Sequence, residues 1–321
     1  VNSEKAVLGA STCWRSAQAN SGDELLAFME RLGLDTLELE FRITTPKWLE
    51  MRPALKAGDF RVASVHNFFP VPSDLAPGRA SGDLFNLASS DSGERAKAVE
   101  YTIRTLETAH ELEADRVVLH CGYIEEMEIL DRAWRSRLEA NDEQALERLR
   151  LNREKRAELA PRALDRLKFC LEKIVRRAEA LDVYLGLENR DWLRELVGLE
   201  ELETILSEFD GAPLGLWYDA GHAVRMEKYG LWKADEWLNR FEKRLIGVHL
   251  HDVKGLRDHL PPGQGELDFR VLLDKLRSVE IRILEIGPDA SESEAREGIN
   301  LIRSMMKDLD RQSSSRSEKA P

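Results

Sequence analysis

The stretch "IGVHLHD" (246–252) decides how the chain is read. Ile246, Val248 and Leu250 alternate with Gly247, His249 and His251, the period of two that sends strand side chains to opposite faces. A single histidine on such a strand has an ordinary explanation as a satisfied core residue. Two on one face, followed by Asp252 and Lys254, point to something polar at the strand's end. The reading turns on whether other strands end the same way.

Elsewhere in the chain, short apolar runs recur at "AVLGAST" (6–12), "TLELEF" (36–41), "VASVHNF" (62–68), "RVVLHCG" (116–122), "YLGLENR" (184–190), "LGLWYDAG" (214–221) and "RILEIGP" (282–288). With 246–252 they make eight. Amphipathic, charge-rich stretches such as "GDELLAFMERLG" and "LDRLKFCLEKIVRRAEAL" separate them. Alternating strand and helix signals imply parallel strands joined by crossover helices. Eight such units predict an α/β protein folded as a closed (β/α)8 TIM barrel. An open doubly wound sheet is the alternative, but its Gly-rich G-x-G-x-x-G turn is absent.

The 321 residues are expected to form one barrel domain over 1–311 with two enlargements. Residues 67–91, "NFFPVPSDLAPGRASGDLFNLASSD", form a long Pro/Gly/Ser-rich loop after the third strand. Loops of this length in a compact domain are usually functional, and Phe68, Phe69, Leu84 and Phe85 suggest a packed lid. Residues 124–160 form a charged insertion, expected as one or two extra helices with a solvated face. The polar tail 312–321 is expected to be disordered.

Composition excludes several classes. Net charge is −12, which argues against a general nucleic-acid binder because the phosphate backbone demands clustered Lys and Arg. The three cysteines show no C-x-x-C pairing, so neither a disulfide framework nor a zinc ribbon is implied. No apolar run approaches the ~20 residues of a membrane span. The start, "VNSEKAVLGAST", lacks a basic and then apolar export pattern, so a cytoplasmic protein is expected. The chain opens on Val1, and a removed leader stays open.

The other strand ends answer the opening question. The second carries Glu38 and Glu40, the third His66, the fourth His120 and the fifth Glu188-Asn189-Arg190-Asp191. The sixth ends in Asp219 with His222 three residues on, the seventh in His249 and His251, and the eighth in Glu285. Six of the seven histidines fall at or just beyond strand ends; only His110 falls inside a helix. In a parallel barrel these ends share the rim that carries active sites. A ring of buried unpaired charge is costly, and a bound cation would neutralise it. Glu, Asp and His without Cys suit one divalent metal ion: Mn²⁺, Zn²⁺, Co²⁺ or Mg²⁺.

Read together and in order, "SVHNFFP", "VVLHCG", "GLENRD", "YDAGHA", "VHLHD", "DHLPPGQGELDF" and "LEIGP" resemble the xylose isomerase-like barrel superfamily over about residues 6–305. That superfamily includes sugar-phosphate isomerases and epimerases, ketose 3-epimerases, inosose dehydratases and endonuclease IV-type apurinic endonucleases. The resemblance to the epimerases implies metal ligation by Glu188, Asp219, His249 and Glu285. His249 is preferred over His251 because it matches the "H-L-x-D" pattern, although some epimerases ligate from an H-x-H pair. His222, in D-x-x-H, resembles a substrate-contacting histidine or a second-metal ligand. In the nucleases, His66, His120 and His259 would match further ligands of a multinuclear zinc site. There the last pair is Asp-x-His, whereas this chain has Arg257-Asp258-His259, with the acid displaced by one residue.

The expected function is therefore a metal-dependent isomerase or epimerase, or a related dehydratase, in carbohydrate metabolism. It would act on a keto sugar, sugar phosphate or polyol through a cis-enediolate. Glu188 and Glu285 would exchange protons with the carbon next to the carbonyl, with His222 as a further catalytic candidate. His66, His120, His251, Lys254 and His259 are substrate-binding candidates. Arg190 and Arg257 could hold a phosphate or carboxylate, or serve only in surface salt bridges. The alternatives are an endonuclease IV-type phosphodiesterase acting on abasic DNA, and a non-catalytic ligand-binding barrel. The expected partner is a small carbohydrate-like molecule, with nucleic acid disfavoured, no membrane, and a homo-oligomer left open.

Overall fold

The computed structural model describes residues 6–76, 78–129 and 132–317. In chain order the strands are β1 (Val7–Ser11), β2 (Thr36–Leu39), β3 (Arg61–His66), β4 (Arg116–Leu119), β5 (Tyr184–Glu188), β6 (Leu214–Asp219), β7 (Leu245–Leu250), β8 (Asp252–Lys254), β9 (Arg257–Leu260) and β10 (Ile281–Leu284). All except β8 and β9 are parallel neighbours in one barrel, closed where Val7 of β1 pairs with Ile281 of β10. The chain is a TIM barrel, as its strand and helix alternation predicts.

The period of two explains how the site is placed. Val118, Trp217 and Ile283 point into the barrel as an apolar layer. His120, Asp219 and Glu285 follow each of them by two residues and so point the same way, one layer nearer the rim. Trp217 fits because its strand neighbours are glycines: a Cβ on Gly247 would fall 2.1 Å from the indole.

The helices are α1 (Gly22–Arg31), α2 (Thr45–Ala57), α3 (Ser92–Glu111), α4 (Arg132–Glu139), α5 (Glu143–Leu181), α6 (Leu199–Glu208), α7 (Ala220–Lys228), α8 (Ala234–Phe241), α9 (Phe269–Lys275) and α10 (Glu292–Ser317). None of the described residues forms a helix long and apolar enough to cross a membrane. The insertion supplies α4 and the first half of α5, a 39-residue helix that runs straight on into the fourth crossover helix. Pro161 lies inside α5. Buried Arg156 ties α5 to the barrel through paired bonds of 2.7 and 2.9 Å to the Glu201 carboxylate.

Three local features differ from expectation. Phe68 and Phe69 of the long loop are fully buried, Phe69 edge-on to Trp48 at 5.2 Å and Phe68 to Phe85 at 5.4 Å. The segment is fixed to α3, since Thr105 Oγ1 accepts from the Phe69 N–H at 2.8 Å and donates to Asn67 Oδ1 at 2.8 Å. These rings pack in the core, while Phe41 lies 5.2 Å from His66 and Trp217 5.3 Å from His249. Residue 77 of this loop lies outside the described residues. After β7 the chain makes an unforeseen antiparallel hairpin, β8 with β9. Asp252 organises the turn beyond the hairpin by accepting from the N–H groups of Gly263, Gly265 and Leu267 at 2.8–3.0 Å. Finally, α10 continues to Ser317, so 312–317 extend a helix where a disordered tail was expected; residues 318–321 lie outside the described residues.

Candidate active site

Glu188 and Asp219 are the last residues of β5 and β6, His249 lies near the end of β7, and Glu285 follows β10. The His249 Nδ1 atom lies 3.1 Å from Glu285 Oε2, 3.5 Å from Glu188 Oε1 and 3.6 Å from Asp219 Oδ2. All four residues are buried, and their potential ligand atoms lie within 4.8 Å of one another. Behind them, His249 Nε2 donates to the Glu38 carboxylate at 3.0–3.1 Å. Burial pushes His249 down, but Glu285 and Glu38 raise it well above its usual range; with a metal ion bound, the bond to Glu38 would leave Nδ1 as the lone-pair side of a neutral ring. His249 Nδ1, Glu188 Oε2 and Glu285 Oε2 are buried with no hydrogen-bond partner. Three buried carboxylates converging on one point are costly unless positive charge meets them, and a cation supplies it. The donor set thus fits a divalent ion, with Glu38 bracing the imidazole from outside.

A second group shares Glu188. His66 Nδ1 donates to the Asn67 carbonyl at 2.9 Å, and His120 Nδ1 to Asp83 Oδ2 at 3.2 Å. Their Nε2 atoms face Glu188 Oε2 at 3.4 and 2.9 Å. Burial and Arg190 push His120 down, but Asp83 and Glu188 outweigh them and raise it to about 9. Burial pushes the Glu188 carboxyl up, while His120 and Arg190 hold it well below the usual range.

The third region holds His222, His251 and His259. His251 has both nitrogens engaged: Nδ1 accepts from the His259 N–H at 2.9 Å and Nε2 donates to Asp219 at 2.9–3.0 Å. Its lone pair is spent, so it orients Asp219 rather than facing the cluster around His249. Gly221 makes room for it; a Cβ there would lie 2.0 Å from the His251 ring. His222 Nδ1 faces the Asn189 carbonyl and Glu188 Oε1, both at 3.2 Å. Burial lowers His222, and Asp219 and Asp191 raise it to about 9. Asp258, the acid next to His259, groups with Asp191 and His222 in a cluster whose donor atoms could hold a cation. Asp258 and Asp191 both clasp Arg225 Nη1, so a guanidinium holds the positive charge between them.

Above these groups lies a cavity of about 570 Å³. Of the expected residues, Glu188, Glu285, His66, His120, His222, Arg190, Arg257 and His259 line it. Asp219, His249 and His251 are buried beneath it. Lys254 is exposed on β8 and is not among the residues lining this cavity. Arg190 is buried among Glu188, Glu195, Asp83 and Asp191 rather than at a surface salt bridge.

Sequence reasoning missed Asp83, Arg225, Arg135 and Phe41 and gave Glu38 no role. Glu38 had a signal in its strand-end position. Asp83 and Arg135 had none, because loop 67–91 and the insertion carry no period that fixes where a side chain points.

The profile of the xylose isomerase-like TIM barrel family matches residues 26–305. An uncharacterized protein of Methanocaldococcus jannaschii is 29% identical over 197 residues, 60% of this chain and 57% of that protein's length. Among solved structures, a D-tagatose 3-epimerase-like protein superposes with a TM-score of 0.70 at 22% identity, covering 96% of this chain and 99% of that one. An L-ribulose 3-epimerase gives 0.68 at 16% identity, over 99% and 100%. The D-psicose 3-epimerase of Clostridium cellulolyticum, solved with D-tagatose, gives 0.63 at 14%, over 94% and 99%. At these identities the structural likeness is one of fold. With the family profile spanning most of the barrel, the chain belongs to the xylose isomerase-like TIM barrel family.

Proposed function

We propose that the chain is a divalent-metal-dependent isomerase or epimerase, or a related dehydratase, acting on a keto sugar, sugar phosphate or polyol through a cis-enediolate. One observation carries the reading. Of the four residues Glu188, Asp219, His249 and Glu285, the two glutamates alone line the cavity, while Asp219 and His249 lie beneath. The residues that would touch substrate are those able to hold and return a proton.

Glu188, Asp219, His249 and Glu285 would hold the ion, be it Mn²⁺, Zn²⁺, Co²⁺ or Mg²⁺. When bound it supplies Lewis acidity to the substrate's carbonyl and neighbouring hydroxyl oxygens. One glutamate takes the proton from the carbon next to the carbonyl, and the other returns one from the opposite face. His222, with Nδ1 held toward Asn189 and Glu188, presents its Nε2 edge to a substrate hydroxyl. Phe41 and Trp192 line the cavity and keep water from the enediolate.

Incubation of the metal-loaded protein with ketoses in deuterated water tests the reading. Deuterium is expected at the carbon next to the carbonyl. Glu188→Gln or Glu285→Gln should cut that exchange by about 10²–10⁴-fold. Strand cleavage at abasic DNA with no exchange in any keto compound would sink it.

That outcome belongs to the second reading, a phosphodiesterase of the nuclease type. It is favoured by the convergence of His66 and His120 Nε2 on Glu188 Oε2, which makes a second cation group. Against it, Arg225 already supplies the positive charge between Asp191 and Asp258. One metal ion per chain supports the first reading, and two or three zinc ions the second.

A further inference from the structure

Arg135 stands apart from the other cations of the cavity. It comes from α4, on the insertion, and its guanidinium carbon stacks over the Trp192 ring at 3.5 Å. Its placement is built. Neighbouring Trp134 is buried and packs on Tyr229 at 6.0 Å, and Glu139 at the end of α4 accepts the Leu256 N–H at 2.7 Å. Arg190 and Arg225 have carboxylate partners. Arg135 has none among the described residues, and its Nε is buried without an acceptor. The charges facing it are Arg225, Asp191 and Asp258, and the two acids are already bound to Arg225.

A guanidinium flattened on an aromatic ring keeps its in-plane donors aimed outward in a fixed fork. That fork fits an oxyanion bidentately. We propose that Arg135 forms an anion subsite at the cavity mouth, and that the substrate carries a phosphate monoester or carboxylate which docks there while the sugar lies over Glu188 and Glu285. The ketose part rests on the function proposed above; the charge on the ligand rests on Arg135 alone. The insertion then acts in substrate selection, beyond a solvated helical face.

Titration calorimetry on the metal-loaded chain tests this, comparing wild type with Arg135→Gln and Arg135→Lys. The probes are D-ribulose 5-phosphate, D-fructuronate and neutral D-ribulose, so the two charged arms separate phosphate from carboxylate. One charged sugar should bind at least about tenfold tighter than D-ribulose. Arg135→Gln should bring it to the level of D-ribulose without changing the neutral sugar's affinity, and Arg135→Lys should keep part of the gain. The proposal is overturned if neither charged sugar outbinds D-ribulose in wild type, or if Arg135→Gln preserves the preference. Deuterium exchange keeps the two ideas separate. Arg135-dependent binding without exchange in any ketose leaves the subsite standing and removes the enediolate; exchange in neutral ketoses with no effect of Arg135 does the reverse.

Discussion

Asp219 illustrates how one side chain can serve several masters. It caps α7 by accepting the His222 N–H at 2.7 Å, it accepts from His251 Nε2 at 2.9 Å, and its second oxygen lies 3.6 Å from His249 Nδ1. The two histidines of "VHLHD" therefore differ in kind. His249 has an unpartnered nitrogen facing three carboxylates, and His251 has none. His249→Ala should abolish stoichiometric metal binding. His251→Ala should weaken it by about 10–100-fold, the usual effect of losing a residue that orients a ligand. Equilibrium dialysis with elemental analysis reads both; equal loss in the two variants would reverse the assignment. The strand pattern predicts that both rings share a face. Which nitrogen is spent depends on the His259 N–H, folded back onto His251 by the hairpin.

At the scale of elements, the long loop and the long helix teach the same lesson. Loop 67–91 is Pro/Gly/Ser-rich, which correctly marks irregular backbone. Whether its aromatic rings cover the cavity or the core is set by α3, whose Thr102 and Thr105 receive Asn67 and Phe69. Phe69→Ala should accordingly cost about 3–5 kcal/mol of folding stability in denaturant titration, with turnover per folded molecule little changed. A loss of activity at unchanged stability would restore the lid. In α5, the helical period of the insertion is legible, but its fusion with the crossover helix is not. Charged residues at helical spacing look solvated until a partner such as Glu201 is brought against Arg156.

For the whole molecule, the barrel gathers carboxylates and imidazoles from β2 to β10 onto one rim, where each acid would be costly alone. Burial pushes the Glu285 carboxyl up, yet His249 and His259 hold it well below the ordinary range. A cation that binds only the folded state stabilises it by mass action, about 2.7 kcal/mol at a hundred times its dissociation constant. Exhaustive chelation should therefore lower Tm by roughly 4 °C, and refilling with Mn²⁺ or Zn²⁺ should restore it. Calorimetric scans on stripped and refilled protein check this; identical scans, with no metal retained after refilling, would mean that the carboxylates are neutralised from within by their histidines.

The barrel is legible in the amino-acid order alone, because alternation of period-two and helical patterns is a local property that survives without any knowledge of contacts. So is the arrival of Glu38, His66, His120, Glu188, Asp219, His249 and Glu285 at one rim, since parallel strands share their C-terminal ends. Contacts between distant segments settled the rest. They spent His251 on Asp219, turned Lys254 outward, clasped Asp258 with Arg225 and laid Arg135 on Trp192. Each of these depends on a partner far along the chain or on a loop with no period. The charge and hydrogen bonding of such a side chain are fixed only when that partner arrives.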